Sequence, residues 1–489
     1  MEPSLSDQNI PEAHDTDTAD WKNITGRGDE EEPMNQPAPL DAFREAGDAV
    51  FAELLQRVGE AQPQPRLAPT RRALDYLGDP QTSYPIIHVA GTNGKTSTSR
   101  IVESIVRAYG LRTGLLTSPH LVRLNERIVI DGEPISDQIL AANWADIQPY
   151  LQLVDQELEA AGEVPLTFFE ALTVLAFACF ADAPVDVAVV EVGMGGEWDS
   201  TNVADGQVAV FTPIALDHTV RLGSTVSEIA RTKSGIIKPE ASVVSAAQSP
   251  EVLAELGRAT ELSQSTLAHE NESFELLSST LAVGGQVISV RGLAGTYPDL
   301  FLPLYGTHQA QNAAVAIAAV ESFLGAGSQA LVGDLLAEGL GTATSPGRLQ
   351  LVGIEPTVLV DAAHNPHGAT ALAAALEAYF DFDEIAVVVG ILADKDARGI
   401  IDALAPQVDR FYVTEPHSDR AVRMDDLADN IAEWTSDQIT FRFDDPAAAL
   451  ESARAWAAEG PKRAVLVTGS IVLVGEAITL AAAGDWMEK

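Results

Sequence analysis

The chain alternates between short, wholly apolar runs and longer stretches whose apolar residues recur at helical spacing. Residues 84–90, 185–192 and 207–214 are runs of the first kind, rich in β-branched side chains. Their length and composition predict strands buried on both faces. Residues 95–109, 136–161 and 167–181 carry the helical period between them. Strands alternating with helices predict a mostly parallel, doubly wound sheet, with order beginning near Ala42. The run 281–290, interrupted by Gly284-Gly285, predicts a hairpin insertion.

After Gly341 the segment Thr-Ala-Thr-Ser-Pro-Gly reads as a linker, and the alternation then restarts. Strands are expected at 357–361, 385–391, 409–414, 439–443 and 464–468. Helices are expected near 367–379, 396–405, 424–435, 446–458 and 471–483. The fold class is therefore α/β, with a larger domain over 41–343 and a smaller one over 344–489. Residues 1–40 hold ten Asp/Glu against two Lys/Arg, and five Pro, without apolar periodicity. They are expected to form a disordered acidic tail.

Composition then narrows the function. Acidic residues outnumber basic ones 71 to 30, for a formal charge of −41. This excludes partners held by bulk positive charge, so neither nucleic acid nor an anionic membrane surface is expected. The single cysteine, Cys179, excludes a disulfide framework and a cysteine-cluster metal site. No apolar run reaches membrane-spanning length and no secretory pattern opens the chain, so a cytoplasmic protein is expected.

Chemistry concentrates at strand ends. Gly91-Thr92-Asn93-Gly94-Lys95-Thr96-Ser97 follows the first strand and opens a helix. Glycines let the backbone turn its N–H groups toward an anion, and the helix N-terminus adds partial positive charge. Lys95 is placed to reach the β- and γ-phosphates, and Thr96 to hold Mg²⁺. Val89 stands where the usual motif has its first glycine, so the loop is a shortened form. Glu191 closes the second apolar run, and Asp217-His218 follow the third. Ligands of doubly wound sheets gather outside the carboxyl ends of strands, so Glu191 and His218 are candidate magnesium ligands. Magnesium prefers oxygen, which makes His218 the less expected member.

Only seven basic residues are lysine. Lys95, Lys233 and Lys395 all lie in motif-like segments, where arginine could not supply a primary amine. By itself Lys233 reads as an ordinary solvated helix residue. The second domain adds Pro346-Gly347-Arg348, Asp361-Ala362-Ala363-His364-Asn365-Pro366 and Asp394-Lys395-Asp396.

Together these residues resemble the folylpolyglutamate synthase / dihydrofolate synthase family, a branch of the Mur ligases. The likeness runs from about Leu74 to Glu476. It rests on the phosphate loop, Thr117-Ser118-Pro119-His120-Leu121 with Glu126-Arg127-Ile128, Glu191-Val192-Gly193-Met194-Gly195-Gly196, Leu216-Asp217-His218, Lys233-Ser234-Gly235-Ile236 and Gly306-Thr307-His308-Gln309 with Asn312. The Ser-Pro-His and Asp-Lys-Asp segments are the parts specific to the folate branch. The resemblance implies an N-terminal P-loop ATPase domain and a C-terminal Rossmann-like glutamate-ligase domain. It implies ATP-dependent addition of L-glutamate to dihydropteroate, to reduced folates, or to both, through an acyl phosphate.

By the family pattern Ser118, Glu191 and His218 hold magnesium. Lys233 takes up CO₂ as a carbamate that ligates a second Mg²⁺, and K⁺ is a further candidate cation. Asn312, Arg348 and Asp361 resemble nucleotide contacts, with His364 on the glutamate side. Lys95, Lys233 and His364 are the expected catalytic residues. Thr167, Phe169, Asp199 and Arg127 are the expected substrate contacts, with Phe169 placed to stack on a pterin and Asp199 to accept its N–H groups. Three places depart from the pattern: Lys95-Thr96-Ser97 is nearer the cell-wall ligases, Glu197 replaces a cation, and Arg231-Thr232 precedes Lys233. Two other readings are a Mur-type ligase acting on a UDP-sugar and a non-catalytic nucleotide-binding protein. The short N-terminal region disfavours the first, and joint retention of Lys95, Glu191, His218 and Lys233 disfavours the second. A monomer is expected.

Overall fold

The computed structural model describes residues 40–60, 62–435 and 438–487. The expected tail lies outside the described residues, except that Leu40 opens the first helix. Eight strands form the larger sheet: β1 (Ile86–Ala90), β2 (Thr113–Leu116), β3 (Ile128–Ile130), β4 (Glu133–Pro134), β5 (Val187–Glu191), β6 (Val208–Phe211), β7 (Ser242–Ser245) and β8 (Thr266–His269). Their order is β4-β3-β2-β5-β1-β6-β7-β8, with β3 and β4 antiparallel at one edge and the other six parallel. β1 and β5 are buried at every position, as their uninterrupted apolar runs require.

Side chains on β1 alternate between two cores. Ile87 and Val89 pack with α3 (Lys95–Ala108) and with the Ala-rich α9 (Thr307–Gly325). Ile86 packs on the opposite face with α4 (Asp137–Ala160) and α5 (Phe168–Asp182), which α1 (Leu40–Leu55) and α2 (Ala68–Tyr76) cover. α6 (Thr219–Leu222), α7 (Val226–Ser234) and α8 (Pro250–Ser263) close the β6–β7 end. The expected hairpin is present as β9 (Glu275–Ala282) and β10 (Gly285–Arg291), joined at Val283-Gly284 and extended by β11 (Thr296–Leu302). Gly284 has φ +80°, a left-handed conformation that glycine adopts without steric cost.

α10 (Gly333–Gly341) ends where the linker was expected. The second sheet has the order β12-β13-β17-β14-β15-β16, from β12 (Gln350–Gly353), β13 (Thr357–Val360), β14 (Glu384–Val389), β15 (Arg410–Val413), β16 (Ile439–Arg442) and β17 (Arg463–Thr468). Only β12 is antiparallel. Val387 and Val389 face α11 (Pro366–Tyr379), α12 (Ala397–Leu404) and α13 (Met424–Trp434). Ala386 and Val388 face α14 (Pro446–Ala458) and α15 (Ile471–Ala483). Among the described residues no helix is long and apolar enough to cross a membrane.

An interdomain contact beside the loop after β2 bears on the site. Leu121, in the loop after β2, packs against the core beneath α15. Its carbonyl oxygen would lie 2.0 Å from a Cβ at Gly475, so only glycine admits it there. Glu126 holds this loop by accepting the N–H groups of Leu121, Val122 and Arg123 at 2.7–2.9 Å.

Glu321 of α9 fastens the three-stranded sheet to the larger domain. It is fully buried and accepts from Leu293 N (2.5 Å), Ala294 N (3.1 Å) and Tyr297 Oη (2.6 Å). Each buried donor left unpaired costs about 1–3 kcal/mol. Glu321→Ala is therefore expected to lose at least ~3 kcal/mol in urea unfolding, and Glu321→Gln, which keeps one acceptor oxygen, distinctly less. Equal stability of Glu321→Ala and the parent chain would contradict this account.

Candidate active site

Every residue singled out as a site residue lines one cleft of about 1650 Å³ between the two domains. The phosphate loop forms its floor. A Cβ at Gly91 (φ +150°) would meet Thr212 Oγ1 at 1.8 Å, and one at Gly94 (φ +86°) would meet Asn312 Oδ1 at 2.6 Å. Both positions thus need glycine, and Asn312 at the start of α9 stands directly over the loop. Thr92 N donates to Pro213 O (2.9 Å), which ties the loop to the segment after β6. Lys95 is the first residue of α3, and its Nζ donates to Thr92 O (3.2 Å). The first turn of α3 leaves N–H groups without intrahelical partners, as an anion site requires. Val89, the departure from the usual motif, is a fully buried strand residue.

Glu191 ends β5 opposite this loop and is almost wholly buried. Thr96 Oγ1 lies 2.9 and 3.0 Å from its two oxygens, and Ser118 N donates to it at 3.3 Å. Burial pushes the carboxyl up, while Lys95, the Thr96 hydroxyl and the Ser118 amide oppose that push. A buried carboxylate with the Thr96 hydroxyl against it and Ser118 beside it is a donor set suited to a hard cation. Among the described residues no three His, Cys, Asp or Glu side chains are gathered as a preformed metal site. His218 sits at φ +50° just before α6; burial holds its imidazole down to about 4 against the pull of Asp217.

Lys233 differs from the solvated helix residue that its local sequence suggests. It is 4% exposed, and its Nζ donates to Gly91 O at 2.7 Å. Burial first, and Lys95 second, push the amine down to about 7. Gly196 permits this packing, because a Cβ there would lie 2.5 Å from Lys233 O.

At the other end of the cleft Thr167 caps α5 in a capping box with Glu170. The Phe169 ring lies against Gly193, where a Cβ would approach ring carbons to 2.5 Å and Asp199 Oδ2 to 3.2 Å. Ring and carboxylate therefore both border Gly193, and all three line the cleft. Asp199 is buried; burial pushes its carboxyl up, and hydrogen bonds from Thr201 and from Met194 and Gly193 amides oppose this. Arg127 reaches the cleft, but its guanidinium is already engaged. It pairs with Glu60 at 2.7 and 3.0 Å, donates to His120 Nδ1 at 2.8 Å and lies 5.2 Å from the Phe168 ring centroid. It builds the cleft wall beside Phe168 and Glu60.

The second domain contributes Arg348, Asp361 and His364. Asp361 is buried beside Arg348 and accepts from Leu349 N and Ala363 N, each at 2.8 Å. His364 Nδ1 lies 2.9 Å from Ala362 O. A carbonyl only accepts, so Nδ1 carries the hydrogen and Nε2 is left as an acceptor. Desolvation holds this imidazole down to about 4, so it is neutral at pH 7.

Asp217, Asn365 and Lys395 occur in the quoted motifs, yet sequence reasoning assigned them no role. Asp217 Oδ1 accepts from Lys395 Nζ (3.2 Å) and Oδ2 from Asn365 Nδ2 (3.3 Å). Burial pushes the Asp217 carboxyl up, but His218, Lys395 and His364 reverse that and hold it well below the usual range. Asn365 and Asn93 exchange amide hydrogen bonds at 3.0 and 3.2 Å. The available signal was the scarcity of lysine, which already marked Lys395.

Residues 89–320 match the Mur ligase middle domain, and residues 347–471 match the Mur ligase glutamate ligase domain. The chain is 45% identical over 450 residues to the dihydrofolate synthase/folylpolyglutamate synthase of Mycobacterium tuberculosis, covering 87% of this chain and 92% of that protein. It is 33% identical to the protein of the same name from Bacillus subtilis, covering 84% and 94%. The fold superposes on M. tuberculosis folylpolyglutamate synthase complexed with ADP at a TM-score of 0.85, with 43% identity over 90% of this chain and 99% of that one. E. coli FolC in complex with DHPP and ADP gives a TM-score of 0.76 at 30% identity, over 92% and 99%. A phosphate loop, a buried carboxylate facing it and a second α/β domain closing over both thus coincide with these similarities: the chain belongs to the folylpolyglutamate synthase/dihydrofolate synthase family of Mur ligases.

Proposed function

We propose that the chain is an ATP-dependent ligase that adds L-glutamate to dihydropteroate and to the γ-carboxylate of reduced folates. The carrying observation is that one cleft holds the phosphate loop with Glu191 at one end and Phe169 with Asp199 at the other. An aromatic face beside an acceptor suits a flat heterocycle bearing N–H donors. Residues 41–343 would bind the nucleotide and the pterin, and residues 344–489 would bring the glutamate side.

In the first step a carboxylate oxygen of the pterin substrate attacks the γ-phosphorus, and the bond from that phosphorus to the ADP oxygen breaks. In the second the glutamate nitrogen attacks the acyl carbon, the carbon–oxygen bond to phosphate breaks, and the nitrogen loses a proton. Lys95 and the N–H groups of the loop and first helical turn bind and orient the phosphates. Arg348 and Asn312 border the same space. His364 Nε2, which carries no hydrogen, lines the same cleft and would orient the glutamate amine by accepting one of its N–H groups. Closure of the second domain over the cleft excludes water from the acyl phosphate.

Thr96, Ser118 and Glu191 would hold a magnesium ion, which when bound neutralises phosphate charge. His218 and a carbamate on Lys233 would hold a second. A lysine must be neutral to take up CO₂, and the Lys233 amine, pushed down to about 7, meets that condition near physiological pH. The cleft is complete within one chain, which supports a monomer as the working species, and we place it in the cytoplasm.

Phosphate release from ATP is expected to require dihydropteroate or tetrahydrofolate together with glutamate, with potassium replaced by sodium as the arm that reads K⁺ dependence. Turnover only with UDP-sugar substrates would sink the proposal. Labelled ¹³CO₂ is expected to give a carbamate NMR signal that grows as pH rises through about 7 and is missing in Lys233→Ala. That variant should lose ~100-fold or more in turnover and regain part of it with short carboxylic acids; an unchanged rate would remove the carbamate.

A further inference from the structure

β1 carries His88 into the interior, in register with Val190 on β5 and Ala209 on β6. The imidazole is fully buried, and the steps above do not use it. Its Nε2 lies 2.9 Å from Thr201 Oγ1. Thr201 Oγ1 in turn lies 2.5 Å from Asp199 Oδ1, which also accepts Thr201 N at 3.0 Å. The other carboxylate oxygen, Oδ2, accepts Met194 N at 2.8 Å.

Hydrogen counting fixes the direction of this chain. An ionised carboxylate only accepts, so Thr201 gives its single hydroxyl hydrogen to Asp199. Thr201 Oγ1 is then an acceptor toward His88, and His88 must be the Nε2–H tautomer. Its Nδ1 has no hydrogen-bond partner among the described residues, so the ring's only polar connection is to Thr201. Burial also pushes the imidazole down to about 3, which keeps the ring a single-hydrogen donor at working pH. A buried carboxylate is stabilised as an anion only by donors, and each member of this chain supplies or aims one. Asp199 Oδ2, which takes the Met194 amide, and the Phe169 ring both border Gly193 and line the cleft, and a carboxylate oxygen can accept more than one hydrogen bond.

We propose that His88 is a positioning residue for pterin recognition: through Thr201 it holds Asp199 as an oriented, charged acceptor for the N–H donors of the bound heterocycle. This rests on the reading of Asp199 as the pterin acceptor.

The test uses the full chain with dihydropteroate, ATP and glutamate, comparing His88→Phe, His88→Gln, Thr201→Val and Asp199→Asn. His88→Phe and Thr201→Val are expected to raise KM for dihydropteroate ~10-fold, as loss of support for a charged hydrogen bond does, with KM for ATP within about twofold. His88→Gln, which retains an N–H, should recover most of the loss. Equal rises in both KM values, or no rise with dihydropteroate, would overturn the proposal. If His88→Phe does not fold, Thr201→Val reads the same connection. Asp199→Asn separates the two levels. An unchanged KM for dihydropteroate there removes the pterin reading itself. A raised KM there, with His88→Phe and Thr201→Val normal, removes only the role of His88.

Discussion

The two domains meet on the carboxylate of Asp217. It follows β6 of the larger domain, yet Lys395 and Asn365, two of its closest partners, come from the smaller one. Asp217 and Lys395 side chains are only 12% and 8% exposed. Two charges withdrawn so far from water are tolerable only when paired and hydrogen-bonded, and stranding one typically costs about 3–5 kcal/mol. Asn365 extends the junction to Asn93 in the phosphate loop, and His367 meets the same Asn93 at 2.8 Å. The loop that would grip the nucleotide, the segment bearing His218 and the N-terminus of α11 are thereby fixed relative to one another. The shape of the cleft is a consequence of that arrangement.

Electrostatics works locally against the composition. The chain carries −41, and its expected ligands are anions, so the mean field opposes their approach. Of the five lysines in the described residues, Lys95, Lys233 and Lys395 line the cleft, while Lys238 and Lys462 pair with Asp205 and Asp381. Arg348 joins them in the cleft. Three of those five lysines are thus gathered in the cleft where phosphate would sit, while many arginines pair with carboxylates outside it.

The sheets were legible because their central strands are continuous apolar runs. The expected helices at 446–458 and 471–483 coincide with α14 and α15. β2, β3, β4, β7, β8, β11 and β12 were missed: all but β11 have two to four residues, too few to show a period, β4 is exposed throughout, and the seven residues of β11 show no strict alternation of buried and exposed positions. The phosphate loop could be read since its parts are contiguous. The Asp217–Lys395 pair could not, because 178 residues separate its members. Likewise nothing in nine residues of α7 shows that Lys233 faces inward; that depends on Gly91 and Gly196 arriving in the loops after β1 and β5.

Leu121 gears the two halves together. Its side chain is seated in the smaller domain, while three residues upstream the Ser118 amide holds Glu191. Swinging the smaller domain away must either unseat that half-buried leucine, losing part of the about 1.5–3 kcal/mol that full burial of such a side chain supplies, or drag the loop along. Dragging it pulls the amide from the carboxylate that faces the phosphates. Opening the cleft and slackening the grip on its contents are then one motion, so departure of spent nucleotide needs no separate trigger.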